Sequence, residues 1–393
     1  MMNTDFIRIG ALATLVGPYA GMGEDGIRGV ELAIAEFGGQ IAGKRVLLIR
    51  ESSNAMPEDA QIGTQTLLDQ HGADFVIGPL SANEGMAVRD YAKTRLDKAF
   101  INGNAAAQDM TLRDPAPNMF SFSTNGVQWM AGLGTYAYEV QGYRRVATLG
   151  EDYTYPYSQV GGFMIEFCRA GGKVVRKFWV PLGTVSYDSV IAALPDDVDA
   201  IYVCLAGADA LNFLKQYELS GKVKPLIGGT TITDQTVLSV KGTLIDRIVG
   251  MASAGPIADN NPDPAWQSFV KAYRDKYPKG LQSPSLFAFG YYVNTKGALL
   301  ALQSIGGDLS DKQTRFKAAL AALEFNSPTG PLKLDHNRQA VANMFLTTIA
   351  KKDDGTLYNQ LIKTIPAVNT TLGVPETDYL KIGPLGRDNP ACA

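Results

Sequence analysis

The chain has 393 residues, enough for two or three domains, and 46% of them are hydrophobic, enough for large packed cores. Its formal net charge is −3 and it has no long run of Lys or Arg, which argues against nucleic acid as a partner. No apolar segment approaches the roughly 18 residues needed to span a membrane. Two histidines, His71 and His336, and three widely spaced cysteines give neither a metal motif nor a disulfide framework. Cys168 and Cys204 lie in apolar surroundings and read as buried core thiols, whereas Cys392 falls in the C-terminal tail. No cofactor is expected.

The N-terminus, MMNTDFIRIG, has no apolar signal region and enters a strand almost at once. The doubled Met fits a leader replaced by a start codon. Phe6 to Leu15 reads as a strand and Glu24 to Phe37 as a helix, with Ile27, Val30, Leu32 and Ile34 at helical spacing. A strand at Val46 to Arg50 and a helix at Pro57 to Gln70 follow. Phe75-Val76-Ile77 is a short apolar strand stopped by Gly78-Pro79, then a polar turn, a helix, and a second strand at Ala99 to Ile101 that ends in Asn102-Gly103-Asn104. Both turns fall at the carboxyl ends of parallel strands, the edge where open α/β sheets bind ligands. Ser81 and Asn83 sit at a helix start, where they cap the helix and can also face an anion.

After Met119 to Phe122, helices are expected at Val127 to Val140, Ser158 to Ala170, Ser186 to Leu194 and Ala208 to Ser220. Strands are expected at Arg145 to Leu149, Lys173 to Val180, Ala200 to Leu205 and Pro225 to Ile227. Alternation before and after about Ser123 predicts two doubly wound α/β units. The apolar run Ile248 to Gly255 leads into a loop, then helices at Trp266 to Tyr277, Ser285 to Gln303 and Lys312 to Ala322. Leu332 to Asp335 and Met344 to Lys351 are strand-like, and the tail after Pro366 reads as irregular.

The motifs IRIGALATLVGPYAGMGEDGIRGVELAI, FVIGPLSANEG, LGEDYTYPYSQVGG, LIGGTT and SPTGPLKLDHN, in this order, resemble the type I periplasmic binding proteins of the leucine/isoleucine/valine-binding branch. These are solute-binding components of ABC importers. The resemblance runs from about Ile7 to Lys351. It implies two Rossmann-like lobes joined by three crossovers: 1–124 with 255–332, and 125–254 with 333–393. The ligand is then expected between lobes that close by a hinge motion. It further implies a periplasmic, monomeric, non-enzymatic protein with a membrane permease as partner.

Carried over by position, the resemblance implies a ligand site of Met22, Ser81, Ala82, Asn83, Asn104, Ala106 and Phe287 in the first lobe, and Tyr155, Gly207 and Thr230 in the second. The match is uneven. Ala82 and Ala106 stand where amino-acid binders carry hydroxyls, and Thr230 stands where they carry the acid that pairs with the ligand ammonium. A buried ammonium without a carboxylate costs several kcal/mol; Asp152 or Asp209 are the candidate substitutes. With Tyr153, Tyr157 and Phe289 also nearby in sequence, the expectation is a small organic acid with an apolar or aromatic body. A branched-chain or other amino acid is the alternative.

A rival reading rests on Gly21-Met22-Gly23-Glu24-Asp25-Gly26, which matches the G-x-G-x-x-G dinucleotide fingerprint, with Glu51 ending the next strand. Against a nicotinamide-dependent oxidoreductase, VGPYA separates these glycines from the strand, and Glu51 lies about thirty residues on where about twenty is expected. No G-x-S-x-G elbow and no Walker loop is present.

Overall fold

The computed structural model describes residues 6–240 and 247–392. The first run of elements is β1 (Phe6–Thr14), α1 (Ala20–Glu36), β2 (Gln40–Ile41), β3 (Lys44–Ser53), α2 (Pro57–Gln65), β4 (Phe75–Ile77), α3 (Ala82–Ala92), β5 (Phe100–Ile101) and β6 (Met119–Phe120). The second is α4 (Gly126–Trp129), α5 (Leu133–Glu139), β7 (Arg145–Glu151), α6 (Thr154–Arg169), β8 (Lys173–Val180), α7 (Asp188–Ala193), β9 (Ala200–Cys204), α8 (Gly207–Leu219), β10 (Leu226–Gly228) and α9 (Gln235–Leu238). Then follow β11 (Ala252–Gly255), α10 (Pro264–Lys276), α11 (Leu286–Ser304), α12 (Ser310–Ala321), β12 (Glu324–Ser327), β13 (Gly330–Leu334), β14 (Ala340–Lys351), β15 (Leu357–Val368) and α13 (Glu376–Tyr379).

The chain forms two compact units. The first holds residues up to Thr124, Gln267–Gly280 and Pro284–Ala342; the second holds Asn125–Trp266, Leu281–Ser283 and Asn343 onward. The chain first passes between them at 124/125. The main later passages fall at 266/267, inside α10, and 342/343, inside β14, whereas the sequence expectation set them at 254/255 and 332/333. Strand pairing accounts for the difference. β11 pairs with the part of β14 beyond Asn343, within the second unit, while β13 pairs with β12 and the first residues of β14, within the first.

The first unit's sheet has the order β2-β3-β1-β4-β5-β6, parallel except for β2. Its middle is apolar on both faces: Ile9, Leu12, Phe75, Ile77, Phe100 and Ile101 are fully buried. Such runs are what a parallel strand covered by helices on both sides requires. Connections leave β1 and β4 in opposite directions, so the topological switch lies between them. The second unit repeats the plan with the order β10-β9-β7-β8, all parallel, and its switch between β7 and β9. Its core gathers Leu149, Ile201, Val203, Phe213 and Tyr187.

Three expectations are corrected and one strand is added. The helix expected over Val127 to Val140 is two helices, because Gly132 adopts φ 82° between them. α6 begins at Thr154 rather than Ser158, since Pro156 is tolerated in a first turn, where its missing N–H has no helical partner to lose. A strand not expected from the sequence, β15, runs from Leu357 to Val368 and pairs with β14; more than half its residues are part-exposed or exposed and no clean alternation announces it. Finally, Cys168 is not a free thiol but is joined to Cys392 by a disulfide across a sequence separation of 224. Cys204 is the buried thiol that was expected.

Candidate functional site

In the first unit, the residues singled out from sequence lie at the carboxyl edge of the sheet, on both sides of the switch. Met22 is buried in the first turn of α1, after β1. Ser81 follows β4 and is the N-cap of α3 in a complete capping box: its Oγ accepts from the Glu84 N–H at 3.5 Å, and the Ser81 N–H donates to Glu84 Oε2 at 3.0 Å. Ser81 Oγ also donates to the Ala55 carbonyl at 3.3 Å. The hydroxyl is thus engaged in holding the helix start. The backbone around Ala82 and Asn83 remains at a helix N-terminus, which favours negative charge.

Glu84 was not among the expected site residues, although Ser81-x-x-Glu84 is the sequence signature of the box. Its fully buried carboxylate collects Thr14 Oγ1 at 3.1 Å from the end of β1, the Ala55 N–H at 3.0 Å from beyond β3, and the Ser81 N–H. Burial raises its pKa, against the lowering effect of the hydrogen bonds from Ser53, Ser81 and Thr14. One side chain therefore ties three of the loops that form this edge.

The loop after β5 is built by Asn102, whose amide donates to the Ala105 carbonyl at 2.8 Å and accepts from the Ala105 N–H at 3.0 Å. That leaves Asn104 projecting from a fixed turn, its N–H donating to the Pro79 carbonyl at 3.0 Å. α11 supports the turn from behind: Asn294 Nδ2 donates to the Gly103 carbonyl at 2.9 Å, and a Cβ at Gly290 would fall 2.0 Å from Asn104 Oδ1. The Asn104 Nδ2 is buried and has no hydrogen-bond partner among the described residues. Ala106 and Phe287 are buried too. Phe289 packs edge-on to Phe269, with ring centroids 6.4 Å apart, and serves the unit's own packing.

The second unit has a matching edge. Tyr155, in the first turn of α6, is buried, and its hydroxyl donates to Thr231 Oγ1 at 3.1 Å, which in turn donates to the Leu205 carbonyl at 2.9 Å. Its ring lies between Trp129 at 5.8 Å and Tyr153 at 6.1 Å, and burial holds its pKa well above the usual phenol value. Gly207 opens α8 at φ 49°, a left-handed conformation in which a side chain is strained. Tyr157 turns away from Tyr155 to meet Trp179 edge-on at 4.9 Å.

Thr230 is closed off. Its hydroxyl donates to the Ala254 carbonyl at 2.7 Å and accepts from Gln159 Nε2 at 2.9 Å, while its N–H donates to Gln159 Oε1 at 2.9 Å. Gln159 lies one helical turn after Tyr155 on α6; sequence gave no sign of this tertiary role. The two acids considered as substitutes are also engaged. Asp152 binds Arg387 and Tyr157, and Asp209 accepts from the Gly183 N–H at 2.7 Å. Glu151, at the end of β7, accepts from the Ala206 N–H at 3.0 Å. The glycines of the apparent dinucleotide fingerprint lie inside α1 instead of in a strand-to-helix turn, and Gly23 is where that helix meets the Thr14 carbonyl.

Comparison with known proteins gives a consistent picture. The family model described as "Periplasmic binding protein" matches residues 7–355. An ABC transporter substrate-binding protein from Sphaerobacter thermophilus superposes with a TM-score of 0.83 at 31% identity, covering 92% of this chain and 98% of that one. A solute-binding protein of an ABC transporter from Rhodopseudomonas palustris BisB5, solved in complex with 3,4-dihydroxybenzoic acid, gives a TM-score of 0.85 at 25% identity over 93% of this chain and 99% of that one. The Leu/Ile/Val-binding protein homolog 6 of Brucella melitensis is 26% identical over 369 residues, 92% of each chain.

Proposed function

Because this chain belongs to the periplasmic binding protein family, as a substrate-binding protein of the ABC-transporter class, we propose that its cargo is a small organic acid with an apolar or aromatic body. The observation that carries this reading is the state of the acids on the second unit's carboxyl edge. An α-amino ligand brings an ammonium that needs a carboxylate once it leaves water. Thr230 stands in place of that carboxylate, Asp152 and Asp209 are committed to partners within the fold, and one oxygen of Glu151 accepts from the Ala206 N–H. The first unit's edge offers a helix N-terminus and the unpaired amide of Asn104, which suit the carboxylate or a phenolic oxygen. Met22, Phe287 and Tyr155 supply the apolar and aromatic contacts. The dihydroxybenzoate complex of the Rhodopseudomonas relative supports the same class.

In this reading the protein catalyses nothing. It captures its ligand in the periplasm as a monomer, by hinge closure, and delivers it to a membrane permease. A disulfide between Cys168 and Cys392 fits an oxidising compartment.

A thermal-shift screen of aromatic acids, keto acids, amino acids and nicotinamide cofactors tests the class, since a ligand bound only by the folded protein raises its melting temperature. Aromatic acids are expected to give the largest shift; a shift with leucine alone, or with NAD alone, would reject the proposal.

Asn104→Leu has a distinctive expected signature. It removes an unsatisfied buried donor, so the melting temperature holds or rises, while the Kd for an aromatic carboxylate rises by about tenfold through loss of one hydrogen bond to a charged group. Calorimetry showing wild-type affinity would remove the Asn104 side chain from the site. For Tyr155, Leu is a better replacement than Ala, which would open a cavity costing about 3–5 kcal/mol in stability. Tyr155→Leu is expected to keep the fold and lose most of the affinity; a Kd within twofold of wild type would exclude ring contact.

A further inference from the structure

The C-terminal segment runs along β8, the edge strand of the second unit's sheet, and is fastened to it at several points. Cys392 is bonded to Cys168 of α6. Lys177 Nζ donates to the Pro390 carbonyl at 2.6 Å, and Trp179 Nε1 donates to the Arg387 carbonyl at 3.2 Å. Leu385 packs on α6 where Gly161 leaves room: a Cβ there would lie 2.8 Å from the leucine Cδ1. So held, the strap aims the Arg387 guanidinium at Asp152, with Nε to Oδ1 at 2.8 Å and Nη2 bonded to Oδ2. Asp152 is the first residue after β7. Its N–H donates to the Val180 carbonyl at 2.8 Å, and its Oδ1 also accepts from the Tyr157 hydroxyl. The loop that leads to Tyr153 and Tyr155 is therefore gripped at its first residue by a side chain 235 positions away in sequence.

We propose that Arg387 is a positioning residue for ligand capture: carried on the strap, it fixes the β7–α6 loop and thereby the Tyr153 and Tyr155 rings. This rests on the reading that Tyr155 touches the ligand. A merely structural role would be small, because Arg387 is largely exposed and ion pairs of that kind add little to global stability. Its two-point grip on a carboxylate, however, defines the loop's orientation.

The test uses the full chain, its Arg387→Ala variant and the charge swap Asp152→Arg with Arg387→Asp. Hydrogen exchange is followed in the ligand-free protein, and 3,4-dihydroxybenzoate is titrated calorimetrically. Arg387→Ala is expected to speed exchange of amides 152–157 by roughly tenfold, to leave those of β9 unchanged, and to raise Kd roughly threefold to tenfold, with the melting temperature nearly constant. The charge swap is expected to recover most of both losses. Unchanged exchange at 152–157 overturns the strap's role and leaves the ligand assignment standing. Faster exchange with unchanged Kd, in a protein whose Tyr155→Leu variant has lost affinity, overturns the link to capture. Wild-type affinity in Tyr155→Leu overturns the reading on which the proposal rests.

Discussion

Glu84→Ala is expected to destabilise the protein by about 4 kcal/mol, because it strands several buried donors at once. Thr14 Oγ1, the Ala55 N–H and the Ser81 N–H all converge on this carboxylate, which is itself fully buried. Each orphaned donor costs about 1–3 kcal/mol when water cannot replace its partner. The loss of the capping box adds to this, since the α3 start then keeps only the Ser81 side chain. Chemical denaturation at pH 7 measures the change; a loss below about 1 kcal/mol would mean that the three loops at this edge are held by other contacts. The pH dependence carries a second check. Burial raises the folded-state pKa of Glu84, so the folded protein binds this proton more tightly than the unfolded chain. Its contribution is fully present below the ordinary value of 4.5 and is lost as the pH rises through the raised value. The gap between wild type and Glu84→Ala should therefore widen as the pH falls from 8 toward 5.

Gly23→Ala is expected to cost about 3–4 kcal/mol, through overpacking against backbone that has nowhere to go. A Cβ at this position would fall 1.8 Å from the Thr14 carbonyl oxygen, far inside contact distance, and no rotamer change relieves it. Either α1 must move out or the end of β1 must shift, and both carry the Met22 edge with them. The same substitution separates the packing role from the rival reading. If Gly23 served a dinucleotide, its replacement would chiefly affect cofactor affinity; here the melting temperature falls by several degrees. Wild-type stability in Gly23→Ala would contradict the close approach of α1 to β1.

What could be read from the sequence, and what could not, follows from how local each cause is. β4 was legible because Phe75, Val76 and Ile77 are all buried in the middle of a parallel sheet, and an apolar run closed by Gly-Pro says so. The capping box at Ser81 and Glu84 was equally local. The resemblance of the α1 glycines to a fingerprint also has a local cause: Gly23, Gly26 and Gly29 share a helix face against neighbouring backbone and side chains, and helical spacing happens to pass through the fingerprint pattern. The commitments of Asp152, Asp209 and Thr230 depended on partners as far away as Arg387 and Gln159, which no spacing rule reaches. The disulfide belongs with them, since a sequence separation of 224 leaves no motif to read. β15 escaped because its residues neither alternate cleanly nor form an apolar run.

The family resemblance supplied the class of protein; the ligand assignment comes from what this chain lacks relative to amino-acid binders and from where its remaining polar groups are spent. The measurement that bears most directly on it is a calorimetric titration of the purified protein with 3,4-dihydroxybenzoate and, separately, with leucine under identical conditions. Saturable binding of the aromatic acid is expected, at least a hundredfold tighter than that of leucine, a difference of about 2.7 kcal/mol. Leucine binding as tight as or tighter than the aromatic acid would contradict it.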